Sequence, residues 1–212
     1  MLFDPVFEDR CSPVSWLGPK RYTEMPCEVS DLPVIDAVVI SHNHYDHLSY
    51  PTIKEIAKAH PNCHFFAPLG NKQWFTSSGI HNVTELDWWD QRDISLSPSS
   101  GSKVEVGNSA GNPPSSATDI EARISCLPCQ HTSNRGIFDR SKTLWASWSI
   151  ESGGQNVYFA GYVTSMALYQ MFRLMTLDFS ETLVTERYQI FPSAPTTTRQ
   201  SLISPLVPLS NK

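Results

Sequence analysis

Charge is scarce in this chain of 212 residues: Asp, Glu, Lys and Arg make up only 17% of it, and the balance is −5. No cluster of Lys and Arg reverses that sign locally, which argues against a nucleic-acid surface. No apolar run reaches the ~18 residues of a membrane-spanning helix. The start, Met1-Leu2-Phe3-Asp4-Pro5, lacks the basic and apolar regions of a signal peptide. The expectation is an intracellular protein, cytoplasmic or peripheral on an organelle membrane. On that reading the sequon Asn82-Val83-Thr84 stays unmodified. Five cysteines, an odd number at irregular spacing, do not form a disulfide framework. Cys126-Leu127-Pro128-Cys129 has no second C-x-x-C to complete it, so buried reduced thiols are favoured over a redox pair or half a zinc site. What is plentiful is apolar surface and proline: 40% apolar residues, six tryptophans, ten phenylalanines and 16 prolines. That describes a loop-rich globular chain with enough bulk for one core.

Histidine is scarce too, seven in all, and Val163 to Lys212 contains none. Three of the seven fall in Ser41-His42-Asn43-His44-Tyr45-Asp46-His47-Leu48. The run before it, Ile35 to Ile40, is short, β-branched and apolar, and reads as a buried strand. The segment after it, Tyr50 to His60, reads as a helix: Ile53, Ile56 and Ala57 share a face, Pro51 lies in the first turn and Ser49 is the N-cap. The motif therefore occupies a strand-to-helix loop, where α/β sheets place their chemistry. Residues two apart in an extended loop point the same way, so His42 and His44 can grip one ion. Asp46 and His47, at the turn into the helix, can reach a second. Imidazole and carboxylate together suit zinc, with iron or manganese as alternatives.

Leu2-Phe3-Asp4 reads as the end of a strand, so the chain is expected to start inside a fold. Further strands are expected over Cys63–Ala67, Asn82–Leu86, Ile120–Cys126, Thr143–Ile150 and Asn156–Ala160, and a short helix over Asn71–Ser78. Asp87-Trp88-Trp89-Asp90 reads as core plus a loop end. Residues 95–118, rich in Ser, Gly, Pro and Asn, read as a flexible insertion with a short hairpin arm. His131 follows a strand end, as the first motif does, and supplies the third nitrogen that His42 and His44 need. An amphipathic helix is expected over Ser165–Met175, and irregular sequence from Ser180 onward.

Ile40 to Leu48 resembles the first metal motif of the metallo-β-lactamase superfamily. Phe3-Asp4-Pro5-Val6-Phe7, Gly18-Pro19-Lys20-Arg21, Asp87-Trp88-Trp89, Cys129-Gln130-His131 and Leu144-Trp145-Ala146-Ser147-Trp148 resemble, in the same order, the N-acylphosphatidylethanolamine-hydrolysing phospholipase D branch. The resemblance implies an α/β fold, the αβ/βα sandwich, with two zinc ions at one sheet edge. His42, His44 and His131 would hold one ion, and Asp46 and His47 the other. Asp46 would also orient or deprotonate the nucleophile, and Tyr45 could hydrogen-bond a phosphate oxygen or simply pack. The implied reaction releases N-acylethanolamine and phosphatidic acid from a phospholipid substrate, with peripheral membrane contact.

The pattern then breaks. Phe159-Ala160-Gly161 is present, but Tyr162 stands where the family places a bridging aspartate. Beyond it no last histidine ligand follows, and Asp178 and Glu181 sit at no recognisable strand end. Residues 1–162 are therefore read as a partial domain of this fold, lacking first strands and most of the second half. Residues 163–212 read as a non-homologous, partly disordered tail. Three functions stay open: an impaired phospholipase D-type zinc hydrolase, a hydrolase of the same fold with another substrate, and a non-catalytic, truncated metal-binding protein.

Overall fold

The computed structural model describes residues 1–97, 103–108, 120–161 and 181–183. Two β-sheets lie face to face, and two helices pack on the outer face of the first. That sheet is wholly parallel, in the order β1 (Leu2–Phe3), β2 (Ala37–Val39), β3 (His64–Pro68), β4 (Val83–Leu86). Its crossovers carry α1 (Tyr50–Ala59) and α2 (Lys72–Ser77). The second sheet runs β10-β9-β8-β7-β5-β6. Its strands are β5 (Gln91–Ser97), β6 (Lys103–Val106), β7 (Ile120–Leu127), β8 (Ser147–Ser152), β9 (Gln155–Phe159) and β10 (Glu181–Leu183). Its pairings are antiparallel apart from β9 with β10.

The two-residue period of a strand explains the layering. Val38 on β2 and Ile40 just past its end face the helices, where they meet Ile53, Ile56, Phe65 and Phe75. Ala37 and Val39 face the other way and meet Phe66, Ile124, Trp148 and Phe159 between the sheets. A parallel strand covered on both faces must be apolar throughout, and β2 is. Trp148, fully buried, spans the inter-sheet layer and donates its indole N–H to the Ile40 carbonyl at 3.0 Å. It thereby fixes the point where β2 gives way to the histidine motif.

Local chemistry accounts for the motif's other end. Ser49 caps α1 as expected, its hydroxyl accepting from the Thr52 amide at 3.4 Å, with Pro51 in the first turn. The Glu8 carboxylate accepts from the Ser49 and Thr52 hydroxyls, tying the loop after β1 to the helix start. The turn between β8 and β9 is Gly153-Gly154, with φ of 56° and 73°, the two positive values of a type I′ hairpin.

The strand expected over Thr143–Ile150 begins only at Ser147. Two of the four residues before it bond across to the other sheet instead: the Leu144 amide donates to the Leu69 carbonyl and the Ala146 amide to the Ser41 carbonyl. Part of the segment expected as a flexible insertion forms regular strand. Ser95–Ser97 continue β5, and Lys103–Val106 pair back on it as the hairpin arm. Tyr162, the helix expected over 165–175 and Asp178 lie outside the described residues, as does the tail apart from the β10 backbone.

The C-x-x-C cysteines are free, and burial pushes the Cys129 thiol up to about 11 and Cys126 well above its ordinary value. Both are protonated at neutral pH, which fits reduced structural thiols.

Candidate metal centre

β1, β2 and β7 deliver their C-terminal ends to one edge of the sandwich, and the site is built from the residues that follow each. After β2 come His42, His44, Asp46 and His47; after β7 comes His131; after β1 comes Asp4. Three ring nitrogens converge. His42 Nε2 lies 2.8 Å from His44 Nδ1 and 2.8 Å from His131 Nε2, and the last two are 3.2 Å apart. Tetrahedral zinc with bonds of ~2.0–2.1 Å has ligand-to-ligand edges of roughly 3.3 Å. The trio thus needs to open by only a few tenths of an ångström to seat an ion.

Their electrostatics favour the ligand form. Burial, reinforced by the neighbouring histidines, lowers the pKa of His42 far below the ordinary value. Burial also brings His131 down to about 4 and depresses His44. All three rings are neutral near pH 7, with lone pairs available to a cation. Three imidazoles aimed at one point, none of them charged, are a fitting donor set for a divalent ion of zinc type.

Asp46 and His47 stand beside this trio. Asp46 Oδ2 is 3.5 Å from His47 Nε2, and the His47 ring centroid is 4.1 Å from that of His42. The two residues are therefore placed to hold a second ion next to the first. Tyr45 sits at the rim with its hydroxyl donating to the Arg135 carbonyl at 3.1 Å.

Asp4 is the residue that motif reasoning left without a role. It is 3% exposed and takes a left-handed φ of 41°. Its Oδ1 accepts from the Ser41 amide at 2.6 Å, and its Oδ2 from the Ser41 hydroxyl at 2.5 Å and from His47 Nδ1 at 2.6 Å. Because the Ser41 hydroxyl is spent on Asp4, its oxygen accepts from His42 Nδ1 at 2.8 Å. This network assigns the proton to Nδ1 on both His42 and His47, which leaves the lone pair of each ring on Nε2, the atom facing the other candidate ligands. Asp4, His42 and His47 also lie close enough to hold an ion together. Two donors already fill Oδ2, however, and that makes Asp4 an orienting group. The signal in the sequence was an aspartate ending an apolar pair and followed by Pro5. Asp4→Asn would turn an amide N–H₂ either toward the Ser41 amide or toward the Ser41 hydroxyl and His47 Nδ1, so that a donor faces a donor in both orientations. The expected result is a ~10–100-fold loss of zinc affinity, measured by chelator competition; parent-like affinity would contradict the assignment.

Among the described residues, a helix–sheet–sheet stack with a histidine–aspartate cluster at the strand ends makes up three of the four layers of the αβ/βα sandwich of the metallo-β-lactamase fold. The chain belongs to the beta-lactamase superfamily: a model of the beta-lactamase superfamily domain matches residues 1–184. Among curated proteins it is 36% identical to "N-acyl-phosphatidylethanolamine-hydrolyzing phospholipase D 1" of Caenorhabditis elegans, over 74% of this chain and 40% of that one. It is 31% identical to "N-acyl-phosphatidylethanolamine-hydrolyzing phospholipase D, mitochondrial" of Saccharomyces cerevisiae, over 78% of this chain and 31% of that one. The chain spans well under half the length of these relatives. A diiron beta-hydroxylase from Streptomyces venezuelae aligns in structure with a TM-score of 0.47 and 19% identity, over 82% of this chain and 28% of that one.

Proposed function

We propose that this chain carries the metal-binding part of a zinc-dependent phosphodiester hydrolase of phospholipase D type, acting on N-acylphosphatidylethanolamine. The observation that carries the reading is the convergence of His42, His44 and His131 on one point, in a chain with two curated relatives that bear that activity in their names. His42 Nε2, His44 Nδ1 and His131 Nε2 would hold the first ion, and Asp46 and His47 the second. When bound, such ions lower the pKa of a water and offset charge on phosphoryl oxygens. On this chain Asp46 Oδ2, on a side chain 35% exposed, is the proton acceptor facing the site. It takes a proton as the water oxygen bonds to phosphorus. The bond from phosphorus to the ethanolamine oxygen breaks, that oxygen takes a proton from solvent water and leaves as N-acylethanolamine, phosphatidic acid is the other product, and Asp46 returns its proton to solvent. Tyr45, its hydroxyl committed to Arg135, serves to pack the rim. The partner this reading requires is a phospholipid, met by peripheral contact with a membrane. No helix among the described residues is long and apolar enough to cross one.

Tyr162, in the place of a bridging carboxylate, leaves the separation and charge of two ions unsupported. We therefore assign tighter binding to the first ion than to the second, and turnover below that of the relatives. The same residue favours a second reading, a metal-binding protein without turnover. The test is to assay zinc-loaded chain on N-acylphosphatidylethanolamine and on bis(p-nitrophenyl) phosphate. Release of N-acylethanolamine in preference to nitrophenol supports the proposal. Preference for the generic diester removes the substrate assignment, and no hydrolysis of either leaves the second reading.

A further inference from the structure

The two loops that carry the histidine trio come from different sheets, and something must hold them in register. We propose that Arg135 is the positioning residue that does so, clamping the His131 loop onto the His42–His47 loop. The inference rests on the metal-centre reading above and adds to it a residue outside the proposed ligand set. Arg135 Nη1 donates to the Asn43 carbonyl at 3.0 Å and to the Leu48 carbonyl at 2.6 Å, one inside the ligand motif and one at its end. Its guanidinium carbon lies 4.2 Å from the Tyr45 ring centroid and 5.1 Å from that of Trp74 on α2. The same stretch is tied back twice more: the Asn134 amide donates to Asn43 Oδ1 at 2.9 Å, and the Tyr45 hydroxyl to the Arg135 carbonyl.

The chemistry of the clamp is specific to arginine. Burial disfavours its charged form, yet the nearby Asp139 carboxylate accepts from the backbone amides of Arg135 and Gly136, closing the turn from below. What offsets the desolvation is a pair of backbone carbonyls and two aromatic faces, contacts a flat, always-charged group makes better than a compact ammonium. A side chain that merely filled the slot between the rings would leave the Asn43 and Leu48 carbonyls without this donor and free the motif to shift against His131. Errors of that kind in the shell around a metal lower affinity by ~10–100-fold.

The experiment compares the full chain with Arg135→Met, which keeps the bulk but no donor. Arg135→Gln, able to serve one carbonyl, and Arg135→Lys, able to serve both from one nitrogen, complete the set. Zinc affinity is measured by competition with a chromogenic chelator, and geometry by the visible absorption of the Co2+-substituted protein. Near-UV circular dichroism confirms native packing. Arg135→Met and Arg135→Gln are expected to bind zinc ~10–100-fold more weakly and to give an altered cobalt spectrum while folded, with Arg135→Lys recovering part of both. Parent-like affinity and spectrum in either folded Met or Gln variant overturns the proposal, and Gln decides should Met not fold. Failure of the parent itself to bind zinc removes the metal-centre reading along with it, so the two failures are told apart.

Discussion

Replacing His42 with alanine is expected to abolish hydrolysis and zinc retention together. His42 is 1% exposed, and its two nitrogens do separate jobs: Nδ1 bonds Ser41, and Nε2 faces His44 and His131. Without it the first ion keeps two nitrogen ligands. The second ion suffers as well, because the His42 ring lies against His47. The loss should therefore exceed the ~10–100-fold typical of removing an outer-shell partner. Zinc content after dialysis and the rate on N-acylphosphatidylethanolamine measure it. A background rate equal in parent and variant would favour the reading without catalysis, and full zinc retention would contradict the assignment of His42.

Trp148→Ala should produce the largest loss of stability. The indole is fully buried between the sheets, packed in the cluster that holds Val39, Phe66, Ile124 and Phe159. Truncating such a residue costs about 3–5 kcal/mol through lost transfer energy and the cavity left behind. The Ile40 carbonyl also loses the donor it has at 3.0 Å, a further ~1–3 kcal/mol if it stays unsatisfied. Against a total stability of ~5–15 kcal/mol, this removes a large share. For a chain of this size about 4 kcal/mol lowers the melting temperature by roughly 8–16 °C. Trp148→Phe, which keeps most of the bulk but no N–H, should fall between parent and Ala. A melting temperature for Trp148→Ala within ~2 °C of the parent would show that Trp148 does not organise the inter-sheet layer.

The part of this fold that was legible in sequence is the part whose physics is local. β2, the histidine motif and α1 follow from a β-branched run, a capping serine, a first-turn proline and an apolar repeat, all within about one strand and one helix. His131 was legible through its place after a strand end, and the structure brings it onto His42 and His44. Asp4 was not, because its role depends on β1 pairing in parallel with β2, which sets its carboxylate beside Ser41 and His47. Nor was Arg135, whose partners are carbonyls and rings supplied by other elements. Thr143–Ala146 misled for a related reason. The segment runs straight into the apolar residues of β8, but the Leu144 amide bonds the loop after β3 and the Ala146 amide bonds Ser41, not a ladder neighbour. For Tyr45 the spacing leaves a phosphate contact and packing both open, and in the structure its hydroxyl donates to the Arg135 carbonyl.

The central claim is that His42, His44 and His131 form a metal site. Isothermal titration of zinc into the metal-free full chain, beside His131→Ala, tests it most directly. The account predicts one tight zinc per parent chain, a weaker second event, and loss of the tight event in the variant. Absence of tight binding by the parent, or an unchanged tight event in His131→Ala, would contradict it.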